Sequence, residues 1–230
     1  MRRALLLWLS LAVLAGCASV RPATMVLPEG LAAESSEVTV HGLGGGRKGE
    51  FSVAGHRGSF TRSADRLDVF EDVSFDWGGS SLTIEGADIP APAAAKCGLR
   101  QVTARYKIVQ FAARPLAYEC DYTGANATLS LQEAKDGKDW LASRARRRGQ
   151  ASVDDYLLEL RSVHELDGTP LTVEAPFGYV LEHAGRAVGA IELNGSTPRL
   201  WLPAQDAALR RAVLLAALPL ALLWDPAALY

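Results

Sequence analysis

The residue types that most often do chemistry in enzymes are spread through this 230-residue chain without a catalytic spacing. A Gly-x-Ser-x-Gly nucleophile motif is absent. Glu71 and Asp76 are too weak a pair to be glycosidase carboxylates, and we expect them to be solvated strand ends. No two of the histidines have the spacing of metal ligands. The four are His41, His56, His164 and His183. The sequence therefore predicts no catalytic residue, no metal site and no cofactor.

A glycine-rich segment at residues 42–49 has the composition of a phosphate-binding loop but lacks its other features. No Gly-Lys-Ser/Thr sequence ends it, and the pattern that follows is not helical. We predict a flexible surface loop here.

A basic cluster is the best candidate for binding. It lies within residues 135–148, beside Trp140. Its candidate contact residues are Lys138, Arg144, Arg146, Arg147 and Arg148. Near an anionic surface, each basic side chain contributes about 1 kcal/mol to membrane attraction. The cluster is interpreted either as a solvated face or as a contact surface for anionic lipid headgroups or lipopolysaccharide phosphates.

The chain begins with the pattern of a secretory signal. Arg2 and Arg3 precede an apolar stretch at residues 4–15, which is shorter than the roughly 20 residues of a spanning helix. Residues 14–17, Leu-Ala-Gly-Cys, resemble the lipobox of bacterial lipoproteins. The resemblance implies cleavage before Cys17, a diacylglyceryl group on its sulfur and an acyl chain such as palmitate on its new amino group. Several acyl chains together give stable membrane attachment. The alternative is an ordinary cleaved signal.

The lipobox resemblance divides the chain into three parts. Residues 1–16 are the predicted signal peptide, 17–37 a lipidated tether, and 38–230 a single β-rich domain. Ala18, where an Asp is associated with inner-membrane retention, favours the outer membrane. Without Arg2 and Arg3, the chain keeps 22 of its 24 basic residues against 26 acidic ones. This balance, near −4, does not favour nucleic acid as a partner.

The cysteine count agrees with lipidation. If Cys17 carries lipid, Cys97 and Cys120 remain as one possible disulfide in an oxidising compartment, although two free thiols are an alternative. Alternating residues on both sides of residues 112–115 predict that the two cysteines lie on one β-hairpin. The chain-entropy model gives this disulfide roughly 3.4 kcal/mol.

Short alternating segments predict a mainly β domain, arranged as an antiparallel sandwich or barrel of many short strands. Residues 133–156 interrupt this pattern and are expected to be partly helical. The predicted strands cover residues 37–41, 49–54, 58–62, 66–70, 73–77, 81–85, 127–131, 156–165, 171–174, 178–183, 186–193 and 199–202, in addition to the hairpin.

The chain closes with an apolar helix predicted over residues 206–224, with Asp206 as its N-cap and Pro219 near its middle. Its uninterrupted run of 13 residues without a charged or polar side chain, 212–224, spans about 20 Å, less than a hydrocarbon core of about 30 Å. A membrane-surface helix needs a charged face, so we expect burial inside the domain. The sequence from residue 178 to the end of the chain resembles the tubby C-terminal and phospholipid-scramblase barrels. This resemblance implies a barrel closed around the helix and a superfamily whose members bind phosphoinositides or lipids.

These patterns predict a non-catalytic, membrane-anchored bacterial envelope lipoprotein with a structural or protein-interaction role. It is expected at the outer membrane, facing the periplasm. The alternatives are a lipid-binding or lipid-handling envelope module and a periplasmic hydrolase.

Overall fold

The computed structural model describes residues 23–69, 72–106, 109–134, 146–195 and 197–229. These residues form twelve strands and three helices. The strands are β1 (Ser35–Thr39), β2 (Lys48–Val53), β3 (His56–Val69), β4 (Val73–Glu85), β5 (Ala93–Tyr106), β6 (Val109–Thr123), β7 (Ala127–Glu133), β8 (Arg147–Val153), β9 (Tyr156–Val163), β10 (Gly178–His183), β11 (Arg186–Glu192) and β12 (Arg199–Pro203). The helices are α1 (Leu31–Glu34), α2 (Ala207–Leu222) and α3 (Pro226–Leu229).

The strands form one antiparallel sheet that is nearly closed into a barrel. From β2 to β12 each strand pairs with the next in sequence, and β1 pairs with β12. Just after β1, His41 exchanges backbone hydrogen bonds of 2.9 and 3.0 Å with Ser52 of β2. This bridge joins the two edges of the sheet, which would otherwise offer unpaired backbone groups. The predicted mainly β fold with a buried C-terminal helix is confirmed, and it is a barrel instead of a sandwich.

Four strands are about twice as long as the rest. β3 to β6 contain 13 to 15 residues, whereas the other strands contain five to eight. Because β2 pairs with β3 only up to Thr61, and β7 with β6 only from Ala117, the surplus lies at one end of the barrel. We call this the upper end. At roughly 3.3 Å per residue, the four-stranded extension rises about 20 Å above the shorter strands.

The extension corrects the prediction of short strands between residues 58 and 85. Three small residues that fall between the predicted strands, Ser63, Gly78 and Gly79, lie inside β3 and β4. A Cβ atom at Gly78 would collide with the carbonyl oxygen of Ser63 on the neighbouring strand. Glycine therefore allows close backbone approach in the middle of a long hairpin, a role that glycine has in strands as well as in turns.

The predicted hairpin disulfide is present between β5 and β6. Cys97 and Cys120 are directly opposite in the register, with their sulfur atoms 2.06 Å apart. Both side chains are buried on the inner face of the barrel. The disulfide therefore joins two of the long strands below the level of the extension.

The interior of the barrel is occupied by α2. Asp206 caps the helix as predicted, accepting hydrogen bonds from the backbone N–H groups of Ala208 and Leu209 at 3.0 and 2.9 Å. Every residue from Ala212 to Leu222 is buried. Since this segment carries no polar side chain, inward-facing apolar residues of the surrounding strands can cover it on all sides.

Two tyrosines donate hydrogen bonds to the backbone of α2 near its proline, and one of them compensates for the missing N–H. Pro219 has no N–H, so the carbonyl of Leu215 lacks its usual intrahelical donor. The hydroxyl of Tyr122 donates to that carbonyl at 2.7 Å. The hydroxyl of Tyr118 donates to the Pro219 carbonyl at 3.0 Å and is hydrogen-bonded to Ser80 at 2.8 Å. These contacts fix the helix relative to β4 and β6.

Tyr122→Phe should lower the free energy of unfolding by about 1–3 kcal/mol, because the Leu215 carbonyl then loses its donor. In a Pro219→Ala background, the substituted residue regains a backbone N–H that can bond to this carbonyl. Tyr122→Phe should therefore lower the free energy of unfolding by less in this background than in the wild type. Denaturant unfolding of the four proteins measures the difference. Equal costs in both backgrounds would contradict the assigned role of Tyr122.

Residues 23–37, which we had assigned to the tether, lie partly on the barrel. Met25 and Leu31 are each 3% exposed and pack outside the sheet against Val180, Ala190 and Trp201. The Met25 N–H donates to the buried carboxylate of Glu192 at 2.6 Å. The packed domain thus includes described residues that precede 38, and it covers an apolar patch on the outer face of β10 to β12.

Candidate functional site

The structural features that could bind a partner or ligand lie together at the upper end of the barrel. It carries the β3–β6 extension, the loop at residues 42–47, the start of β8 and the C-terminal end of α2. The described N-terminal segment also begins there, since Asn194, in the loop after β11, donates to the Ala23 carbonyl at 2.8 Å. Cys17 precedes Ala23 by six residues, a distance of at most about 20 Å. A lipid on Cys17 would therefore be held near this end.

The extension carries an exposed apolar patch. Leu67, Phe75 and Trp77 are 53%, 40% and 45% exposed. Leu67 lies directly opposite Phe75 in the β3–β4 register, and Phe75 and Trp77 are two residues apart on the same face. We call these three residues the aromatic patch. Because they are neighbours on one face, they form a contiguous patch of a kind that often marks an interaction site.

Charges of both signs surround the aromatic patch. Asp65 is opposite Trp77 on one side, and Arg100 is opposite it on the other. Arg100 lies 3.7 Å from the carboxylate of Glu119. Asp72 is exposed at the β3–β4 turn. An apolar centre with a mixed charged periphery is typical of protein interfaces.

The structure separates the predicted basic cluster into distinct environments. Lys138 and Arg144 lie outside the described residues. Arg146 and Arg148 are exposed at the upper end. Arg147 is 1% exposed, so its prediction as an anionic-surface contact is wrong. It belongs to β8, a strand where we expected partly helical structure, and the alternation of a strand turns its side chain inward.

Arg147 forms a two-pronged ion pair with Asp225 inside the barrel. Its Nε and Nη2 atoms each donate to a different carboxylate oxygen at 2.9 Å. Burial alone would lower the pKa of Arg147, but the charge and hydrogen bonds of Asp225 outweigh burial and raise it. Asp225 also accepts the Ala227 N–H at 2.9 Å, at the start of α3. The pair therefore ties the chain after α2 to the barrel wall.

Arg62 organises the glycine-rich loop from inside the barrel. Its Nε donates to the Gly46 carbonyl at 2.9 Å, and its Nη2 donates to the carbonyls of Leu43, at 3.0 Å, and Gly44. The loop thus turns carbonyl oxygens toward a cation, unlike a phosphate-binding loop, which presents N–H groups. The guanidinium also lies 4.8 Å from the Trp224 ring centroid.

The remaining candidates do not assemble into a reactive group. Within the described ranges, no three His, Cys, Asp or Glu side chains are placed to hold a metal ion. Asp76 is buried and accepts a 2.7 Å hydrogen bond from Arg66, so it is not the solvated strand end that we expected. Glu71 lies outside the described residues.

Comparison with known proteins adds no relative. No protein-family model, curated protein or solved structure matches the chain significantly. None of the helices in the described part of the chain is both long enough and apolar enough to cross a membrane. A proposal for the function therefore rests on the fold and the surface of this molecule.

Proposed function

We propose that this protein is a non-catalytic lipoprotein of the bacterial cell envelope that docks a protein partner through the aromatic patch. The observation that carries the docking role is the exposure of Leu67, Phe75 and Trp77 together on one face of the extension. Large aromatic side chains at the centre of an interface often supply much of its binding energy. The lipid on Cys17 would place this surface at the membrane, in our proposal the outer membrane facing the periplasm.

The charges beside the aromatic patch favour a protein over a lipid surface as the occupant. Asp65 and Asp72 are exposed close to the apolar residues. Anionic headgroups would be repelled by these carboxylates, whereas a protein can offer basic side chains opposite them. Arg100 and Glu119 provide further polar contacts of both signs at the periphery.

The double variant Phe75→Ser/Trp77→Ser should abolish partner binding while leaving the fold intact, because both side chains are already largely in solvent. The measurement is quantitative mass spectrometry of proteins that copurify with the full chain after crosslinking in whole cells. The abundance of a partner protein that copurifies with the wild type should be at least tenfold lower with the variant. Leu157→Ser is the matched control, because Leu157 is 51% exposed and lies near the opposite end of the barrel. An unchanged set of copurifying proteins would contradict docking through the patch.

A lipid-binding role is the second candidate, and the exposure of Arg146 and Arg148 at the upper end favours it. This role predicts that the Cys17→Ser protein floats with vesicles containing anionic phospholipid and not with neutral vesicles. Arg146→Gln/Arg148→Gln should then remove flotation, whereas the aromatic-patch variant should keep it. Absence of flotation with both kinds of vesicle would eliminate this candidate.

A further inference from the structure

A cavity of about 260 Å3 lies at the upper end of the barrel, where α2 ends. Its lining includes Arg62 from β3, Tyr179 from β10, and Trp224 and Asp225 from the segment after α2. The glycine-rich loop also contributes to its wall through residues 43–45. Its volume is just below the usual range for small-molecule sites, about 300–1,000 Å3. The cavity therefore suits a ligand smaller than those that such sites usually hold.

Arg62 brings a positive charge to this cavity, and no carboxylate of the described residues forms an ion pair with it. The residue is 8% exposed. Its hydrogen-bond acceptors are the neutral carbonyls of Leu43, Gly44 and Gly46, and Nη1 donates to none of the described residues. Buried charges are ordinarily paired with an opposite charge, so this guanidinium beside a cavity is a candidate partner for an anion.

Tyr179 supplies a second, independent polar group. Its side chain is fully buried, and its hydroxyl has no hydrogen-bond partner among the described residues. Burial, together with the nearby charge of Asp225, keeps the pKa of this hydroxyl well above its ordinary value. The group therefore stays protonated and can donate a hydrogen bond. A buried hydroxyl without a partner is uncommon in folded proteins and requires an explanation.

The other charges near the cavity do not cancel that of Arg62. Both oxygens of the Asp225 carboxylate accept hydrogen bonds from Arg147, and the two opposite charges of this pair sum to zero. Arg47 lies 5.9 Å from the centroid of the same Trp224 ring, on the exposed loop, and adds positive charge. Together, the guanidinium groups of Arg62 and Arg47 place positive charge beside Trp224, which favours a negative ligand there.

We propose that this cavity binds the oxyanion group, carboxylate or phosphate, of a small molecule through the Arg62 guanidinium and the Tyr179 hydroxyl. A guanidinium edge suits the oxygens of either group, and a phenol can donate to a remaining oxygen. Trp224 covers the guanidinium and limits its access to water. This site does not depend on the docking role of the aromatic patch or on lipidation.

The test is calorimetric titration of the full chain, purified in neutral detergent, with acetate and with inorganic phosphate at constant ionic strength. Saturable binding of either ion is expected, and the tighter of the two identifies the group that the site prefers. Tyr179→Phe should weaken this binding roughly tenfold, as expected for loss of one hydrogen bond to a charged group. Tyr156→Phe is the matched control and should bind like the wild type, because its hydroxyl lies near Asp206 at the opposite end.

Tyr179→Phe removes a single oxygen that has no described partner, so the variant should fold at least as stably as the wild type. Arg62→Lys keeps the charge but loses the planar fork, and it should also weaken binding. The absence of saturable binding by both ions would overturn the proposal. Binding of the same strength in the wild type and Tyr179→Phe would overturn it as well.

Discussion

Asp225→Asn should lower the free energy of unfolding by about 3–5 kcal/mol, the usual cost of leaving one member of a buried ion pair without its partner. Arg147 is 1% exposed and donates to both oxygens of the Asp225 carboxylate. In the variant, the guanidinium stays in the barrel without the negative charge of Asp225. The Asn side chain can accept only one of the two charge-assisted hydrogen bonds. Denaturant unfolding, monitored by circular dichroism, measures the change.

Two further variants test whether burial of the ion pair causes the stability loss of Asp225→Asn. Arg186→Gln removes one member of the exposed Arg186–Glu34 pair, in which both side chains are more than 60% exposed, and should cost no more than about 1 kcal/mol. Arg147→Met/Asp225→Asn removes both charges and should recover much of the stability lost by Asp225→Asn alone. A double variant less stable than Asp225→Asn would contradict this account of the pair.

Cys17→Ser should move the protein from the membrane fraction to the soluble fraction or leave it uncleaved with its signal attached. The prediction follows from the lipobox resemblance of residues 14–17, because serine lacks the sulfur that would receive the diacylglyceryl group. Membrane fractionation, with mass spectrometry of the N-terminal peptide, distinguishes the lipidated, the unmodified and the uncleaved forms.

Cys97→Ala/Cys120→Ala is the matched control for this experiment. It removes the disulfide, with an expected loss of about 2–5 kcal/mol of stability, and should leave the protein in the membrane fraction. If Cys17→Ser stayed at the membrane after cleavage, a second anchor would have to exist, and the lipid-anchor proposal would be wrong.

Local patterns in the sequence predicted the parts of the fold that depend on local periodicity. Alternation predicted β10 with the observed bounds, and the uncharged run after Ala212 predicted a helix buried on all sides. We missed that short predicted strands merge into β3 and β4. Glycine is common in turns, but Gly78 lies inside a strand, where it allows the neighbouring backbone to approach closely. The packing of Met25 was missed because a short segment with no periodicity gives no indication of the surface that it covers.

The site residues were harder to predict because their roles depend on distant partners. The run of arginines suggested one charged face. In a strand, however, Arg147 lies on the same side as the apolar residues Ala151 and Val153, and this alternation indicates that it points inward. Its partner Asp225 is 78 residues away and has no local signature. Phe75 and Trp77 lie on the outer face of β4, which they share with the exposed Thr83, whereas Asp76 between them is buried. Apolar residues on both sides of a polar one ordinarily mark the buried face of a strand, so the local pattern favours the opposite orientation.

The most direct test of the central claim is photo-crosslinking in living cells from a photoreactive amino acid placed at Trp77. The docking proposal predicts a discrete protein adduct from this position and none from the same amino acid placed at Leu157. The Phe75→Ser substitution should weaken the adduct from position 77. Crosslinks from position 77 to lipid alone, or no adduct at all, would contradict the proposal that this extension docks a protein partner.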